Sequence, residues 1–271
     1  VAMNHKPISF DVEGLTLRGS VYEPKGGFEQ EKRYPTALLF HGFGGNRIDF
    51  SGFMMQMARS LSQQGIVAIT YDRAGHGESD GTFFDVSISR EVRHAKQVLQ
   101  QVCSLDYVDE NNLHFGGISL GAVVESIVAS ETAAKPRSMV MVSSAASCVD
   151  EITSGKIQGK SLEGLRTQSY FDFMGAKMGP AMVEDVKGLD LYAKVTGCTS
   201  DVLLIHGTAD FVPVEYAQRY KDVFGDRATL IVKENGDHGF CSVPDREFVM
   251  SKTAQFIAEH AGVSYQGVEI F

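Results

Sequence analysis

The segment LHFGGISLGAVV, residues 113–124, decides the fold of this chain. It begins with a short apolar run, Leu113–Phe115, which is typical of a strand buried on both faces, and it leads into an apolar helical pattern, Leu120–Ser130. Ser119 stands between the two, within the pattern Gly-x-Ser-x-Gly. Where a buried strand passes directly into a helix, the strained turn presents the serine oxygen above the sheet, and small flanking residues let strand and helix approach closely. We therefore predict that Ser119 is a nucleophile.

The same pentapeptide pattern occurs a second time, in Gly77–Gly81, so the pattern alone is weak support for a nucleophile. Ser79, at the centre of this second copy, follows a polar, glycine-rich loop, Arg73–Gly77, rather than a strand. The residues Thr82–Asp85 then follow before any helical pattern begins. Because the strand–turn–helix context is missing, we interpret Ser79 as a turn residue.

Short apolar runs alternate with helical patterns through most of the chain. Such alternation is typical of an α/β fold, in which a mostly parallel sheet carries helices on both faces. The predicted strands are Thr36–Phe40, Ile66–Tyr71, Leu113–Phe115, Ser138–Val142, Val202–Ile205 and Thr229–Val232. The predicted helices are Phe50–Gln64, Ser87–Ser104, Leu120–Ser130, Val214–Phe224 and Asp245–His260. Ahead of them, Ile8–Val12 and Leu15–Tyr22 flank Glu13-Gly14 and predict an antiparallel hairpin at the edge of the sheet.

The segment 145–197 interrupts this alternation. It contains no strong pattern of a buried strand, and it is longer than the roughly 15 residues that structureless loops reach in compact domains. We predict an inserted cap or lid over the carboxyl edge of the sheet, between two parts of the α/β core, residues 1–144 and 198–271. The aromatic side chains of the cap are expected to line a substrate pocket; they are Tyr170, Phe171, Phe173 and Tyr192.

The composition limits the classes of partner. The chain has 271 residues, 43% of them hydrophobic, which is enough to bury the core of one large domain. With 25 Lys and Arg against 34 Asp and Glu, its formal net charge is −9, and it therefore lacks the basic excess that a nucleic-acid partner requires. No apolar run approaches the roughly 20 residues that span a bilayer, so we predict no membrane span.

The cysteines and the N-terminal residues bear on the compartment. Cys103, Cys148, Cys198 and Cys241 are scattered, without the spacing of a metal site or of a disulfide framework. We therefore predict free thiols and no metal site. The polar segment Val1–Lys6 lacks the basic start and apolar stretch of a secretory signal. Together these features predict a cytoplasmic protein. The sequence does not decide between a monomer and a homodimer, nor whether residues 264–271 are ordered.

A serine hydroxyl needs a base to take its proton and a third group to orient that base. In an open parallel sheet, such partners are expected beyond the carboxyl ends of later strands. Asp210 follows the predicted strand Val202–Ile205, and His238 follows the last predicted strand, so the chain order is serine, acid, histidine. Asp210 is the preferred acid, and Asp237 and Asp150 are the alternatives.

The other histidines are assigned to packing or to loop structure. His41 and His206 each precede a glycine at the end of a strand, so we expect buried packing or hydrogen bonds to the loop backbone. His76 lies in the glycine-rich loop and is expected to hold that loop together. Of the eight histidines, His238 is placed where a base could reach Ser119.

Acyl transfer also requires hydrogen-bond donors aimed at the negative charge that develops on the substrate oxygen. The N–H of Leu120, the residue after the nucleophile, is expected to be one donor, since the first N–H groups of a helix lack partners. The second donor is expected from the glycine-rich loop His41–Gly45, at Phe43. No Gly-Lys-Ser/Thr follows these glycines, and no dinucleotide fingerprint is present, so a phosphate-binding loop is disfavoured.

These residues resemble the α/β-hydrolase superfamily and, within it, bacterial cinnamoyl (feruloyl) esterases and related small serine carboxylesterases. The resemblance runs from about Thr36 to Ala261, and its motifs are His41–Gly45, Asp72–Gly81, Gly117–Gly121, His206–Asp210 and Asp237-His238. It implies Ser119 as nucleophile, Asp210 as acid, His238 as base, and Phe43 and Leu120 as oxyanion donors. The loop Asp72–Gly81 recurs in such enzymes, which is a second reason to assign Ser79 to loop structure.

The chain departs from these esterases in two places. Its nucleophile motif is Gly-Ile-Ser-Leu-Gly, where they usually have Gly-His-Ser-Gln-Gly. The cap segment is the least alike, and the cap is the part that selects the acid or the alcohol group.

The function expected from these features is a cofactor-free serine carboxylic-ester hydrolase. Its substrates would be small to medium esters, including hydroxycinnamate (feruloyl) esters. The alternatives on the same site are a monoacylglycerol lipase, a thioesterase or an acyltransferase. An alternative of another class is a binding module that retains the fold without the chemistry.

Overall fold

The predicted strands assemble into one eight-stranded sheet in the computed structural model, which describes residues 4–271. Val1–Met3, at the start of the predicted N-terminal segment, lie outside the described residues. The strands of the sheet and of two small hairpins are β1 (His5–Val12), β2 (Leu15–Tyr22), β3 (Tyr34–Phe40), β4 (Val67–Tyr71), β5 (Val108–Ile118), β6 (Ser138–Val142), β7 (Lys156–Ile157), β8 (Lys160–Ser161), β9 (Phe171–Phe173), β10 (Ala176–Met178), β11 (Asp201–Gly207) and β12 (Ala228–Lys233).

The strand order in the large sheet is β1-β2-β4-β3-β5-β6-β11-β12. β1 pairs with β2, and β2 with β4, in antiparallel orientation, whereas the other neighbours are parallel. The two-residue turn between β1 and β2 uses Glu13 and Gly14 with φ of 53° and 78°, the positive values that suit the twist of a tight hairpin. The predicted mostly parallel sheet with an N-terminal antiparallel hairpin at its edge is therefore confirmed.

Helices cover both faces of this sheet. They are α1 (Phe53–Ser62), α2 (Ile88–Cys103), α3 (Leu120–Glu131), α4 (Cys148–Thr153), α5 (Gly164–Thr167), α6 (Ala181–Val186), α7 (Leu191–Lys194), α8 (Val214–Phe224) and α9 (Val243–Ala261), with 3₁₀ turns at Phe50–Gly52, Phe83–Asp85 and Gly225–Arg227. Buried residues of α1 and α9 belong to one hydrophobic cluster, and those of α2, α3 and α8 to another. The α/β fold class predicted from the alternating pattern is confirmed.

The central strand β3 shows why the core strands are apolar throughout. Leu38 and Phe40 pack into the cluster of α2 and α3, whereas Ala37 and Leu39 pack into the cluster of α1 and α9. Since successive side chains of a strand point to opposite faces, a strand covered on both faces needs apolar residues at every position. Full burial of each such large side chain contributes about 2 kcal/mol to folding.

Several element boundaries differ from the predicted ones, and two of the differences have a clear cause. β5 begins at Val108 rather than at Leu113, because the polar residues 109–112 separate Val108 from the apolar run and interrupt its pattern in the sequence. α1 begins at Phe53 rather than at Phe50, because Ser51 and Gly52 have positive φ values of 47° and 76°, which interrupt a right-handed helix.

The segment 145–197 carries four short helices, α4–α7, and two small hairpins, β7–β8 and β9–β10. Among the described residues, none of its strands joins the eight-stranded sheet. Met178, Met182, Val186 and Leu191 are buried in the cluster of α2 and α3. The segment is therefore packed on the core through its own apolar side chains.

The C-terminal residues after α9 are ordered against α1, which settles a point that the sequence leaves open. The Gln63 side chain accepts from the Glu269 N–H at 2.9 Å and donates to the Glu269 carbonyl at 2.6 Å. The Gln64 side chain forms the same pair of bonds with Gln266 N–H, at 2.7 Å, and the Gly267 carbonyl, at 2.8 Å. The two side-chain amides thus bind backbone N–H and carbonyl groups of the C-terminal segment, as a neighbouring strand would. Ile270, further along the segment, is buried.

All four cysteines are free, with Cys198 buried and Cys241 exposed. Across residues 4–271, no helix combines the length and the apolar character that crossing a bilayer would require.

Glu125 is an unusual member of the core. It lies on α3 against Gly117, where a Cβ would come within 3.1 Å of its carboxyl carbon. The side chain is fully buried, and neither carboxyl oxygen has a hydrogen-bond partner within the described part of the chain. Burial raises the pKa of this carboxyl well above its usual 4.5. The folded protein therefore holds Glu125 in its neutral form.

We expect the variant Glu125→Gln to gain stability over the parent protein as the pH rises from 5 to 8. The unfolded chain loses the carboxyl proton near pH 4.5, whereas the folded chain keeps it, so the parent's unfolding free energy falls by up to about 1.4 kcal/mol per pH unit in this window. Glutamine does not titrate and escapes this loss. Urea unfolding of both proteins at several pH values measures the difference, and a constant difference across the range would contradict the expectation.

Candidate active site

Ser119 occupies the tight turn between β5 and α3, with φ of 59° and ψ of −124°. A positive φ is uncommon for a residue with a side chain. The neighbouring strand supports it, since the Ser119 N–H donates to the Val142 carbonyl at 3.0 Å. Gly121 allows the close approach that the turn needs, because a Cβ there would lie 2.2 Å from the Phe40 carbonyl oxygen. The strand–turn–helix context that the sequence predicts is thus present at Ser119.

The hydroxyl of Ser119 lies at one end of a chain of three side chains. It donates to His238 Nε2 at 2.9 Å, and His238 Nδ1–H donates to Asp210 Oδ1 at 2.8 Å. Asp210 follows β11 and is fully buried, and His238 follows β12. In such an arrangement the imidazole can take the hydroxyl proton while the carboxylate stabilises the imidazolium.

The two alternative acids have other partners. Asp237 Oδ1 accepts from the Cys241 N–H at 2.8 Å, which shapes the loop after His238. Asp150 Oδ2 accepts from the Tyr216 hydroxyl at 2.6 Å. Of the three carboxylates considered from the sequence, the structure brings Asp210 to the histidine.

Ser79 lies in a different environment from Ser119. Its hydroxyl donates to the Asp72 carbonyl at 2.6 Å and accepts from the Arg18 N–H at 2.8 Å. These bonds join the loop after β4 to β2. The second copy of the pentapeptide therefore has a structural explanation.

His206 is a second histidine beside Asp210, and it lies near the carboxylate oxygen that His238 does not contact. Its Nε2–H donates to the Val212 carbonyl at 2.7 Å and lies 3.5 Å from Asp210 Oδ2. The Val212 N–H in turn donates to Asp210 Oδ1 at 2.8 Å. His206 thus bonds to loop backbone, as its position before a glycine predicts, and it helps to hold Asp210 in place.

Arg246, on α9, supports the loop that carries His238. Its guanidinium is buried and donates to the carbonyls of Gly239, at 3.1 Å, and Phe240, at 3.3 Å. It also donates to the Gln56 side chain at 2.7 Å and lies over the Phe53 ring. Burial lowers the pKa of this guanidinium from its usual value. The sequence offered no signal for this role, since the residue lies within a helix that is otherwise amphipathic.

The two residues predicted as oxyanion donors, Phe43 and Leu120, line the same cavity as Ser119. Leu120 is the first residue of α3, and the first N–H groups of a helix have no partner within it. In the loop after β3, the Gly42 N–H donates to Asp49 Oδ2 at 3.1 Å and the Gly44 N–H to His76 Nε2 at 3.2 Å. The Phe43 N–H, between them, makes no hydrogen bond to any residue of the described range 4–271.

Two spaces meet at Ser119. The smaller one, which we call the inner cavity, has a volume of about 50 Å³. It is lined mainly by apolar residues, four of the eight buried, with Glu151 and Gln158 among the polar ones; the apolar residues are Phe43, Leu120, Ala145, Cys148, Ile152, Ile157, Met182 and Phe211.

The larger space, which we call the outer cleft, has a volume of about 860 Å³ and runs between the loop after β3 and the hairpin β9–β10. Its lining includes His238, which does not line the inner cavity. Three exposed apolar side chains stand along it, Phe50, Met174 and Phe211, at 63%, 81% and 52% exposure. Ser119 therefore faces a small apolar space on one side and a wide, open one on the other.

The structure separates the four aromatic residues predicted to line a substrate pocket. Phe173 lines the outer cleft, with its ring 4.7 Å from that of Phe43. Phe171 is buried in the core, because successive residues of β9 point in alternating directions and both of its apolar positions face inward. Tyr170 packs under Lys177, and the Tyr192 hydroxyl donates to the Tyr216 carbonyl at 3.1 Å. Within residues 4–271, these last three do not line the inner cavity or the outer cleft.

Phe211 is a site residue that the sequence reasoning did not identify. Its ring centroid lies 4.2 Å from that of His238, and it borders both the inner cavity and the outer cleft. The sequence feature that could have identified Phe211 is its position directly after Asp210, in a loop beyond a buried strand. The inner-cavity residues of α4 and α6, such as Ile152 and Met182, carried no signal, since their patterns are those of ordinary core residues.

Across the described range, no group of three or more His, Cys, Asp or Glu side chains is arranged to hold a metal ion.

Comparison with known proteins gives one family match. A family model described as an alpha/beta hydrolase family matches residues 37–250, which include every candidate site residue from Phe43 to His238. A curated relative, the "Polyketide transferase claH" of Penicillium crustosum, is 31% identical over 134 residues. That match covers 45% of this chain and 38% of the relative, so it spans well under half of either protein.

Solved structures similar to this one share its fold. Est1E from Butyrivibrio proteoclasticus, with ferulic acid bound, superposes with a TM-score of 0.84 at 22% identity, covering 94% of this chain and 99% of that one. An esterase from Pyrococcus furiosus has a TM-score of 0.72 at 17% identity, with coverage of 95% and 91%. The alpha/beta hydrolase GrgF from a Penicillium species has a TM-score of 0.74 at 15% identity, with coverage of 96% and 99%.

The thiol of Cys241 is expected to react first with a thiol reagent at pH 8. Cys241 is exposed on the outer cleft, whereas burial raises the pKa of the Cys148 thiol to about 12 and Cys198 is buried. Because the thiolate is the reactive form, labelling of Cys241 should be at least about tenfold faster than that of Cys148. Peptide mapping by mass spectrometry after timed labelling checks the order. The variant Cys241→Ser should lose the fast phase, and a fast phase that persists in it would contradict this assignment.

Proposed function

The chain belongs to the alpha/beta hydrolase family, and from this premise we propose that it is a serine carboxylic-ester hydrolase that works through an acyl-enzyme. The observation that carries the proposal is the hydrogen-bonded chain from Ser119 through His238 to Asp210, with distances of 2.9 and 2.8 Å. A hydroxyl, an imidazole and a buried carboxylate in this order are the parts that nucleophilic acyl transfer requires.

The first half of the proposed reaction forms the acyl-enzyme. The Ser119 oxygen attacks the ester carbonyl carbon while His238 Nε2 takes the hydroxyl proton. Asp210 accepts the hydrogen bond from Nδ1–H, which keeps the ring in the productive orientation and stabilises its positive charge. The carbon–oxygen bond to the alcohol then breaks, and His238 gives its proton to the departing alcohol oxygen.

The second half releases the acid. A water molecule gives a proton to His238 and attacks the acyl carbon, and the tetrahedral intermediate breaks down to the free acid and the Ser119 hydroxyl. In both halves the negative charge on the carbonyl oxygen would be bound by the N–H groups of Phe43 and Leu120. Loss of one such donor typically costs about 3 kcal/mol of transition-state stabilisation.

The position of His238 assigns the two spaces at Ser119 to the two parts of the ester. The leaving alcohol must lie beside the imidazole that protonates it, and His238 lines the outer cleft and not the inner cavity. We therefore assign the alcohol to the outer cleft and the acyl group to the inner cavity. A small, mainly apolar space of this kind suits a short acyl chain.

Residues 145–197 would act as the cap that selects the acyl group. The segment contributes Cys148, Ile152, Ile157 and Met182 to the inner cavity and Phe173 to the outer cleft. Esters of hydroxycinnamic acids are the first substrates to test, since the fold resembles that of the ferulic-acid-bound Est1E.

A second candidate function is acyl transfer to an alcohol or thiol in place of water. It is favoured by the 31% identity to a protein named as a polyketide transferase. The outer cleft is wide enough for a second substrate to enter after the first alcohol has left. The ratio of acid to transfer product, measured with an added alcohol acceptor, separates the two functions.

The variant Ser119→Ala should lose ester hydrolysis by a factor of about 10³ to 10⁶, because the nucleophile and its partners act as a unit. Turnover of p-nitrophenyl butyrate and of methyl ferulate measures the loss. A fluorophosphonate should label the parent protein once and the variant not at all. The matched variant Ser79→Ala should keep the label, since Ser79 bonds to backbone away from His238. A parent protein that neither hydrolyses esters nor takes the label would be a binding module, contrary to the proposal.

Truncation of Met182 should shift the preferred acyl length upward, because this side chain lines the inner cavity. For Met182→Ala, the ratio of kcat/KM for a hexanoyl ester to that for an acetyl ester of one alcohol should rise about tenfold. Met174 lines the outer cleft, so Met174→Ala is the matched control, with an unchanged acyl-length ratio. Thermal unfolding verifies that both variants are folded. If the acyl-length ratio responds to Met174 instead, the assignment of the two spaces is reversed.

A further inference from the structure

Arg73 is a buried cation beside the loop that carries Phe43. It lies in the loop after β4, and 2% of its surface is exposed. Its guanidinium donates to the carbonyls of His41 and of Gly42, the latter at 2.9 Å. Its Nε lies 3.0 Å from Glu91 Oε2, on α2, and Glu91 is 4% exposed. A guanidinium and a carboxyl group in close contact are therefore buried next to the proposed oxyanion site, although the contact is not in hydrogen-bond geometry and burial raises the pKa of Glu91 from its usual 4.5.

A buried ion pair needs an explanation other than stability. Desolvation of two charges costs several kcal/mol per ion, and well-packed apolar residues of similar volume often serve folding equally well. What a guanidinium adds is geometry, because its rigid, planar set of donors can bind two acceptors in fixed directions. Here the two acceptors are consecutive backbone carbonyls, which suggests that the position of this backbone is the property under control.

The Gly42 carbonyl belongs to the same peptide group as the Phe43 N–H. A peptide group is planar and trans, so the direction of its carbonyl fixes the opposite direction of its N–H. The Gly42 carbonyl accepts from Arg73 at 2.9 Å, from His41 Nδ1–H at 2.8 Å and from the Gly45 N–H at 3.2 Å. Three donors, one of them a cation, therefore hold this single peptide group.

The two histidines in this network are kept neutral. Burial, reinforced by the charge of Arg73, lowers the pKa of His41 well below 6.5 and that of His76 to about 3. A neutral imidazole can accept a hydrogen bond. His41 Nε2 accepts from the backbone N–H of Arg73, and His76 Nε2 accepts from the backbone N–H of Gly44. The Gly44 N–H is thus occupied by His76 and the Gly42 N–H by Asp49, whereas the Phe43 N–H between them has no acceptor within residues 4–271.

We propose that Arg73 is a positioning residue, which orients and polarises the Gly42–Phe43 peptide so that its N–H binds the oxyanion. The proposal rests on the proposed ester hydrolysis and concerns the same site. A cationic donor on a carbonyl strengthens hydrogen bonds from the N–H of the same peptide, because hydrogen bonds in a chain polarise one another.

The test compares Glu91→Gln with the double variant Arg73→Met/Glu91→Gln. Glu91→Gln removes the ion pair but leaves the contacts of Arg73 to both carbonyls, so its kcat should stay within about threefold of the parent's. The double variant removes both charges together and leaves no unpaired buried ion. It should unfold at a temperature close to that of Glu91→Gln, while its kcat falls about 10²-fold with little change in KM.

A second readout separates positioning from a merely structural role. A boronic acid forms a tetrahedral adduct with a nucleophilic serine and so probes the oxyanion donors. Its affinity should fall in the double variant by about the same factor as kcat/KM, while inhibition by the alcohol product stays unchanged. Arg73→Lys keeps the charge but presents a single ammonium group to the two carbonyls. Its kcat should therefore lie between those of the parent and the double variant.

A folded double variant with the kcat and boronic acid affinity of Glu91→Gln would overturn the proposal. If the double variant does not fold, Arg73→Lys decides, and a kcat equal to that of the parent would overturn it. A parent protein without ester turnover contradicts the proposed function instead. The two failures are therefore distinguishable.

Discussion

The absence of a side chain at Gly121 allows the backbone conformation of Ser119, and the rest of the site depends on that conformation. A Cβ at position 121 would lie 2.2 and 2.4 Å from the carbonyl oxygens of Phe40 and His41, so α3 could not begin so close to β3. A positive φ at a serine costs about 1–3 kcal/mol. Hydrogen bonds from Ser119 N–H to Val142 and from Ala145 N–H to Ser119 offset this cost. The hydroxyl is thereby presented to the loops that follow β11 and β12.

The backbone groups of those loops lack the hydrogen-bond partners that a strand finds in a sheet, and buried side chains act as their partners instead. Arg73 binds two consecutive carbonyls in the loop after β3, and Arg246 binds two consecutive carbonyls in the loop after β12. Asp210, in the loop after β11, is held by the Val212 N–H and bordered by His206. Since buried backbone groups must find partners, these polar side chains give irregular segments the rigidity that strands obtain from their neighbours.

Much of the fold was accessible from the sequence, because strands covered on both faces leave nearly continuous apolar runs, as Ser138–Val142 does. The order of Ser119, Asp210 and His238 follows from the carboxyl ends of parallel strands, and the structure brings these side chains together. The aromatic residues of segment 145–197 were not separable in this way, since short helices and hairpins give no period that distinguishes a cavity face from a core face. The helix break at Ser51 left no signal at that residue either, because serine seldom adopts a positive φ.

The C-terminal segment 263–271 illustrates how little binding energy an intramolecular contact needs. It is held by four hydrogen bonds from Gln63 and Gln64 and by the buried Ile270. Because the segment belongs to the same chain, its effective concentration at the residues that it contacts is of the order of mM. A peptide of the same sequence, cut free after Gly262, would lose that advantage and dissociate at ordinary protein concentrations. The covalent link to α9, more than the affinity of these contacts, keeps the C-terminal segment in place.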